Sequence, residues 1–188
     1  MESRPKSRSA LFETFEFTLD CGTLRLRPTV LKDRGAIASV LADEKVTRYL
    51  AALPYPLDDT ALNTYLNFLC GSDQVSKTIE LNGEFAGVIS LARQLTFWVA
   101  RKHWRRGLAG CAVNWLVDTH FAQPDSSTLF AQVHIQNSAS IALLKKLGFE
   151  QIGPVKRRFS FVTETAEEFV GLELSRSAWV RDRGPLSE

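Results

Sequence analysis

The sequence predicts an α/β (α+β) fold in which a mixed sheet of seven strands is flanked by helices. The chain has 188 residues, a length typical of one domain. Hydrophobic residues make up 45% and charged residues 23%, which is the composition of a globular protein rather than a disordered one. Segments with the two-residue period of strands alternate with segments of helical period, and strands on both sides of helices indicate a mixed sheet.

The chain begins with a strand and two helices. The segment Leu24–Arg27 alternates apolar and charged residues as a half-buried strand does. A helix is predicted over Val30–Ala42. A second helix is predicted to start at Asp58 or Asp59 and to end at Gly71, because its apolar residues recur at helical spacing: Leu62, Tyr65, Leu66 and Leu69.

Three strands and a long helix follow. Strands are predicted over Lys77–Leu81 and Phe85–Leu91, with the dipeptide Asn82-Gly83 between them, which is the strongest short signal of a β-hairpin. The aromatic and β-branched segment Thr96–Ala100 is predicted as the next strand. A helix is then predicted from Ala109 to Phe121.

The last third of the chain contains three strands and one helix. A strand is predicted over Leu129–Ile135 and a helix over Ser138–Leu147, which Gly148 ends. Two more strands are predicted over Gln151–Phe161 and Glu167–Leu174. The complete order is β-α-α-β-β-β-α-β-α-β-β.

Composition excludes several classes of protein. Lys plus Arg number 23 and Asp plus Glu number 21, and this net charge of +2 is too small to favour nucleic-acid binding. No window approaches the roughly 18 apolar residues of a membrane span, and the N-terminus lacks the apolar core of a secretory signal. Three cysteines form no disulfide framework. We expect a cytoplasmic protein with one domain over residues 11–182, a flexible tail over 1–10 and a second tail over 183–188.

A basic loop leads into the long central helix. Arg105 and Arg106 come just before the helix start, where backbone N–H groups lack partners and the helix dipole is positive. Gly107, Ala109 and Gly110 keep this loop small, so that a phosphate can approach the backbone. Spacing alone favours an anion site and a tight strand-to-helix turn equally. The loop is neither a Walker loop nor a dinucleotide turn.

A second strand-to-helix segment runs from Asn137 to Phe149. Asn137 or Ser138 can cap the helix, and Ser140 lies in its first turn, where the hydroxyl can face a ligand. The alternative is that the hydroxyl of Ser140 only satisfies a local backbone group.

These two segments, in this order and about 30 residues apart, resemble the GNAT acyl-CoA N-acyltransferase superfamily. The pyrophosphate loop of that family reads Gln/Arg-x-x-Gly-x-Gly/Ala, and here Trp104-Arg-Arg-Gly-Leu-Ala stands in its place. A Trp at the first position is usual in the Rim-type (RimJ/RimL-like) ribosomal-protein N-terminal acetyltransferases. Four other segments resemble motifs of that branch: Thr23-Leu-Arg-Leu-Arg-Pro, Val46-Thr-Arg-Tyr-Leu, Pro54-Tyr-Pro-Leu and Asn137-Ser-Ala-Ser…Leu147-Gly-Phe.

The resemblance implies a splayed, mostly antiparallel sheet and direct transfer of an acetyl group from acetyl-CoA to a primary amine. The acceptor is either a protein N-terminus or a small-molecule amine. By position, the Val99 N–H is the donor to the thioester oxygen. The residues implied in CoA binding are Phe97, Trp98, Val99, Arg105, Arg106, Gly107, Leu108, Ala109, Gly110, Asn137 and Ser140.

The catalytic groups are less well defined by this resemblance. Many family members carry a Tyr acid four residues after Ser140, but here that residue is Leu144, so Ser140 is the remaining candidate acid. The strand before the loop carries no carboxylate. The candidate bases are therefore Glu80 and His134, against the simpler interpretations of a solvated residue and a core residue, with a water chain as a third possibility.

Two questions about activity and partners stay open. Without the Tyr and the carboxylate, a non-catalytic CoA-binding sensor is the alternative to an enzyme. Phe12, Phe15 and Phe17 form an aromatic cluster that packs either on the sheet edge or on another subunit, so a homodimer is considered. The three histidines show no zinc spacing, and no metal is expected.

Overall fold

The computed structural model describes residues 13–72 and 74–183, and its strands form two sheets. The first sheet has five strands in the order β1-β2-β3-β4-β5, and the second has three in the order β6-β8-β7. All of these neighbours pair antiparallel. The strands are β1 (Phe15–Leu19), β2 (Gly22–Pro28), β3 (Val75–Leu81), β4 (Glu84–Leu91), β5 (Leu95–Val99), β6 (Leu129–His134), β7 (Glu150–Ser160) and β8 (Thr165–Leu174).

Helices cover the five-stranded sheet from both sides. One core joins the first three helices to Val88 and Trp98 of that sheet. The other core joins the fourth helix to both sheets, and it includes Leu144 and Trp179 of the last two helices. The helices are α1 (Arg34–Leu41), α2 (Glu44–Thr47), α3 (Asp59–Cys70), α4 (Leu108–Phe121), α5 (Ser138–Lys146) and α6 (Arg176–Arg183). Among the described residues, no helix is both long and apolar enough to cross a membrane.

The predicted fold class is confirmed, but the described strands number eight rather than seven. The additional strand β1 pairs with β2, and Phe15 faces Leu26 in the register. The ring of Phe15 lies 5.1 Å from that of Trp115, so this part of the aromatic cluster packs within the chain. Phe12 lies outside the described residues, as do the predicted tails apart from Arg183, which ends α6.

The helix predicted over Val30–Ala42 is divided. A single 3₁₀ turn over Leu31–Asp33 precedes α1, and the short helix α2 follows. The Asp33 carboxylate explains the tight start, because it accepts hydrogen bonds from the Val30 N–H at 3.0 Å and from the Arg27 guanidinium at 2.7 Å. Buried polar groups require such partners, so this pairing fixes the turn against β2.

The hairpin predicted at Asn82-Gly83 is confirmed. Both residues have positive φ, 52° and 80°, as the tight two-residue turn between antiparallel strands requires. This hairpin joins β3 to β4, and β4 in turn pairs with β5. β5 is the last strand of the five-stranded sheet and lies beside β6 without a hydrogen-bonded ladder. The two sheets therefore diverge between β5 and β6.

Candidate active site

The strand β5 presents free backbone groups on the side away from β4. The Ala100 N–H donates to the Ala86 carbonyl at 2.7 Å, and Gly87 faces Val99 in the register. Since bonded and non-bonded pairs alternate in an antiparallel ladder, the backbone N–H and C=O of Val99 and of Phe97 point away from β4. Both residues therefore offer hydrogen-bonding groups to the gap beside β6.

Trp98 differs from its two neighbours. By the same alternation its backbone groups face β4, and its side chain is only 5% exposed. The indole Nε1 donates to the Tyr65 hydroxyl at 2.9 Å, and burial raises the pKa of Tyr65 to about 12. The backbone and the side chain of Trp98 are thus both used inside the fold, and its CoA contact stays a prediction.

The basic loop has the backbone geometry of an anion site. Arg105 and Gly107 have φ of 60° and 82°, and the chain turns sharply before α4 begins at Leu108. Leu108 is buried and anchors the helix, while Arg105 and Arg106 are exposed. Within the part of the chain that the structure describes, no side chain caps the first turn, and a Cβ at Gly107 would meet nothing within 4 Å. The N–H groups at this end of α4 are therefore open to an anion.

Trp104 connects this loop to the edge of β5. Its indole Nε1 donates to the Val99 carbonyl at 2.6 Å, although the residue is 44% exposed and lies outside the core. The Val99 carbonyl is thus occupied, whereas its N–H remains available to a ligand. The Trp that replaces the usual Gln or Arg of the loop motif therefore has a defined positioning role.

Ion pairs fix the residues that come just before the loop. Lys102 forms an ion pair with Glu84, and this hydrogen bond lowers the pKa of the Glu84 carboxyl. Arg101 donates to Asp43 at 2.6 Å. His103 is buried, neither ring nitrogen has a hydrogen-bond partner among the described residues, and burial lowers its pKa. At neutral pH we therefore expect His103 to be neutral beneath the loop.

The helix α5 is capped by Asn137 and contacts the first turn of α4. The Asn137 carboxamide oxygen accepts from the Ser140 N–H at 3.2 Å, so Asn137 is the cap, as was one of the two predicted options. A Cβ at Gly110 would lie 3.5 Å from the Leu143 Cδ1 atom, so the second turn of α5 packs against the first turn of α4. Ser140 is half-buried, and Leu144 is fully buried in the core.

His134 and Glu167 form a pair of which the sequence analysis predicted only His134. The His134 Nδ1 atom accepts from the Gln136 N–H at 3.1 Å, and its Nε2 atom lies 3.4 Å from the Glu167 Oε2 atom. That oxygen is buried without a hydrogen-bond partner in the described structure. The ring of His134 also contacts Tyr49 at 5.4 Å and Phe169 at 5.2 Å. Glu167 was missed because only the pairing of β6 with β8 brings it to His134.

Glu80 occupies a different part of the molecule. It lies on β3, two strands from β5, and it is 8% exposed rather than solvated. Its carboxylate accepts from the Arg27 Nε atom at 2.7 Å and lies 3.7 Å from Arg25. This buried ion pair explains the residue structurally, and we do not retain Glu80 as a candidate base.

Comparison with known proteins agrees with this geometry. The family model described as "Acetyltransferase (GNAT) domain" matches residues 23–150. An uncharacterized N-acetyltransferase p20 from Bacillus licheniformis is 26% identical over 151 residues, which span 72% of this chain and 84% of that protein. A putative acetyltransferase from T. thermophilus superimposes with a TM-score of 0.74 at 20% identity and full coverage of both chains. Mycobacterium smegmatis RimJ in complex with CoA-disulfide gives 0.72 at 19% identity, covering 92% and 95%.

Proposed function

This chain belongs to the GNAT acetyltransferase domain family and is an N-acetyltransferase, and from that premise we propose that it transfers an acetyl group directly from acetyl-CoA to a primary amine. The single observation that carries the proposal is the free edge of β5 beside the uncapped start of α4. The alternative of a non-catalytic sensor has no such support, since the related proteins are named as acetyltransferases.

The proposed CoA site has two parts. The N–H groups and cationic side chains of the segment 105–110 would hold the pyrophosphate, because they combine positive charge with unpaired donors. The free backbone N–H and C=O of Phe97 would pair with an amide group of the pantetheine arm, as a neighbouring strand would do, and the Val99 N–H is left for the thioester. The Asn137 oxygen is used by the helix cap, so only its amide nitrogen is left to donate to the arm.

The transfer requires three contributions from the chain. The amine must be neutral, the thioester oxygen must gain a donor, and the departing thiolate must gain a proton. We assign the donor to the Val99 N–H, which the Trp104 contact leaves free on the open edge. The amine nitrogen forms the new bond to the acetyl carbon as the carbon–sulfur bond breaks.

Proton transfer is assigned to residues of the second sheet and of α5. The Glu167 Oε2 atom, which is buried without a hydrogen-bond partner in the described structure, would take the proton that the amine loses. His134 would position that carboxylate through Nε2, because its Nδ1 atom already accepts from the Gln136 N–H. The hydroxyl of Ser140 would supply a proton to the thiolate sulfur. These residues would take the roles of two groups that this sequence lacks, the Tyr acid and the carboxylate on the cofactor strand.

Finer assignments rest on the sequence motifs. The Trp104 loop and the Asn137 segment resemble the Rim-type branch, so a protein N-terminus is one candidate acceptor and a small amine is the other. A cytoplasmic location and a homodimer stay predictions.

Calorimetric titration with acetyl-CoA and with CoA tests the cofactor site, and an acetylation assay over amines and N-terminal peptides tests the reaction. We expect binding of both ligands and turnover of at least one amine. Glu167→Gln should lower kcat by about a hundredfold, as loss of general base catalysis does. Glu168→Gln is the matched control, because Glu168 is the next residue along the strand, is exposed and does not belong to the pair. Failure of both ligands to bind would contradict the proposal.

A further inference from the structure

One face of the three-stranded sheet is left open to solvent. Val170 and Leu172 of β8 face the core, whereas Phe169 and Gly171 line a cleft on the other side. The cleft has a volume of about 310 Å³ and reaches the turn between β4 and β5. Binding sites for small molecules begin at about this size.

The lining of this cleft carries cations without carboxylates. Arg93, Lys156 and Arg158 line it together with two amide side chains, and no Asp or Glu is among the lining residues. Although Glu167 is the register partner of Arg158, none of the three cations forms an ion pair within the described residues. Cations that are not held in ion pairs keep donors free for carboxylate or phosphate oxygens, and three of them in one cleft favour an anionic group there.

The cleft adjoins the proposed proton-transfer pair, with Phe169 between them. Phe169 belongs to its lining, and the ring of Phe169 contacts that of His134 at 5.2 Å. In the register of the second sheet, Lys156, Phe169 and His134 stand side by side across three strands. A ligand that places its amine at His134 therefore extends towards the cations.

We propose that this cleft binds the acceptor and that the acceptor is a small primary amine with a carboxylate or phosphate at its end remote from the amine. The inference rests on the proposed function and adds the substrate class. The apolar side chains of Phe130, Ile152 and Pro154 would contact the body of the molecule, and the cations its anionic end. An acceptor with a second positive charge would be repelled by the same three cationic side chains.

A matched series of alkylamines tests the substrate class. The members share one chain length and one primary amine and end in a phosphate, a carboxylate, a neutral amide or a second amine. With saturating acetyl-CoA, we expect kcat/KM to be at least about tenfold higher for an anionic end than for the amide, and lowest for the diamine. The first two members distinguish the phosphate from the carboxylate.

Substitution of the cations tests whether the preference for anionic amines arises in the cleft. Arg93→Gln and Arg158→Gln should each lower the ratio of kcat/KM for the anionic amines to kcat/KM for the neutral amide by about tenfold. Lys32→Gln is the control, because it removes the same charge from an exposed position outside the cleft. Equal loss in Lys32→Gln would attribute the effect to net charge and would overturn the inference.

The remaining outcomes separate this inference from the proposed function. Equal kcat/KM for all four amines, or a preference for acidic peptides over every small amine, would overturn the inference and leave the acetyltransferase assignment intact. If no amine is acetylated, calorimetry on the CoA-loaded protein with the same series still tests whether the cleft prefers an anionic amine. Tighter binding of the anionic members would support the cleft while contradicting the proposed reaction, and equal binding would overturn both.

Discussion

Substitution of Gly87 by Ala tests whether the position of Val99 controls the reaction. Gly87 faces Val99 across the pair β4 and β5, directly behind the proposed donor. A Cβ at this position would lie 2.3 Å from the Trp98 carbonyl oxygen and 3.0 Å from the Val99 Cα atom. Ordinary contacts begin near 3.4 Å. Because these neighbours are backbone atoms within a ladder, no flexible side chain can move to relieve the contact.

The size of the effect follows from that overlap. Restoring ordinary contact requires β5 to move by about 1 Å relative to β4, since protein interiors contain no free space to absorb a methyl group. Such overpacking costs roughly 1–3 kcal/mol of folding stability. A donor misplaced by about 1 Å costs about a hundredfold in rate, so we expect kcat to fall by that factor in the folded protein.

The assay is steady-state kinetics on Gly87→Ala, with the free energy of unfolding measured by urea titration. Gly35→Ala is the matched control, because a Cβ there would meet nothing within 4 Å and the residue lies in the helix α1. We expect that control to keep its kcat and to gain about 0.5–1 kcal/mol, as Gly to Ala does in a helix. A folded Gly87→Ala protein with the original kcat would refute the assignment of Val99.

Three other predictions concern single residues. Gly107→Glu should abolish CoA binding in calorimetry because it places a carboxylate where the phosphates are proposed to lie, whereas Gly83→Glu, with an equally positive φ and equally open surroundings, should leave the affinity unchanged. Ser140→Ala should lower kcat with nearly unchanged CoA affinity, and an unaltered kcat would make the residue structural. Burial lowers the pKa of Lys77 to about 8 from its ordinary 10.5, so the unfolded chain binds more protons between these values and stability should rise across that range. The rise from this group is at most about 3 kcal/mol and should be absent in Lys77→Met when unfolding is compared at pH 8 and pH 10.5.

The structural elements that were predicted most accurately are those that depend on residues adjacent in the sequence. The hairpin at Asn82-Gly83 depends on two adjacent backbone conformations, and the structure shows both. The two helix starts that follow β5 and β6 were also located within a residue of the observed bounds. The strand β1 was missed because Phe15 and Phe17 were interpreted as part of an aromatic cluster, although the segment alternates apolar and polar residues and pairs with β2.

The site was predictable to the extent that its residues share a local motif. The anion loop and Ser140 can be identified from spacing, since each belongs to one strand-to-helix segment. Glu167 cannot, because its approach to His134 depends on which strands pair in the second sheet. The ion pair of Glu80 was likewise not predictable, since its partner Arg27 is 53 residues away and no local pattern indicates that the carboxylate is engaged.

No acidic residue lies between Glu84 and Asp118, so β5 and the loop after it supply no carboxylate. The divergence of the two sheets shows that the proposed donor and the proposed proton-transfer pair lie on different sheets. The proposed donor lies on β5 of one sheet, and the pair His134 and Glu167 belongs to the other. No ladder joins β5 to β6, so their relative position is set by the shared core around α4. A change that alters the distance between the sheets should therefore reduce kcat more than it reduces the affinity for either ligand, because each ligand can still bind to its own side while the reacting atoms are separated.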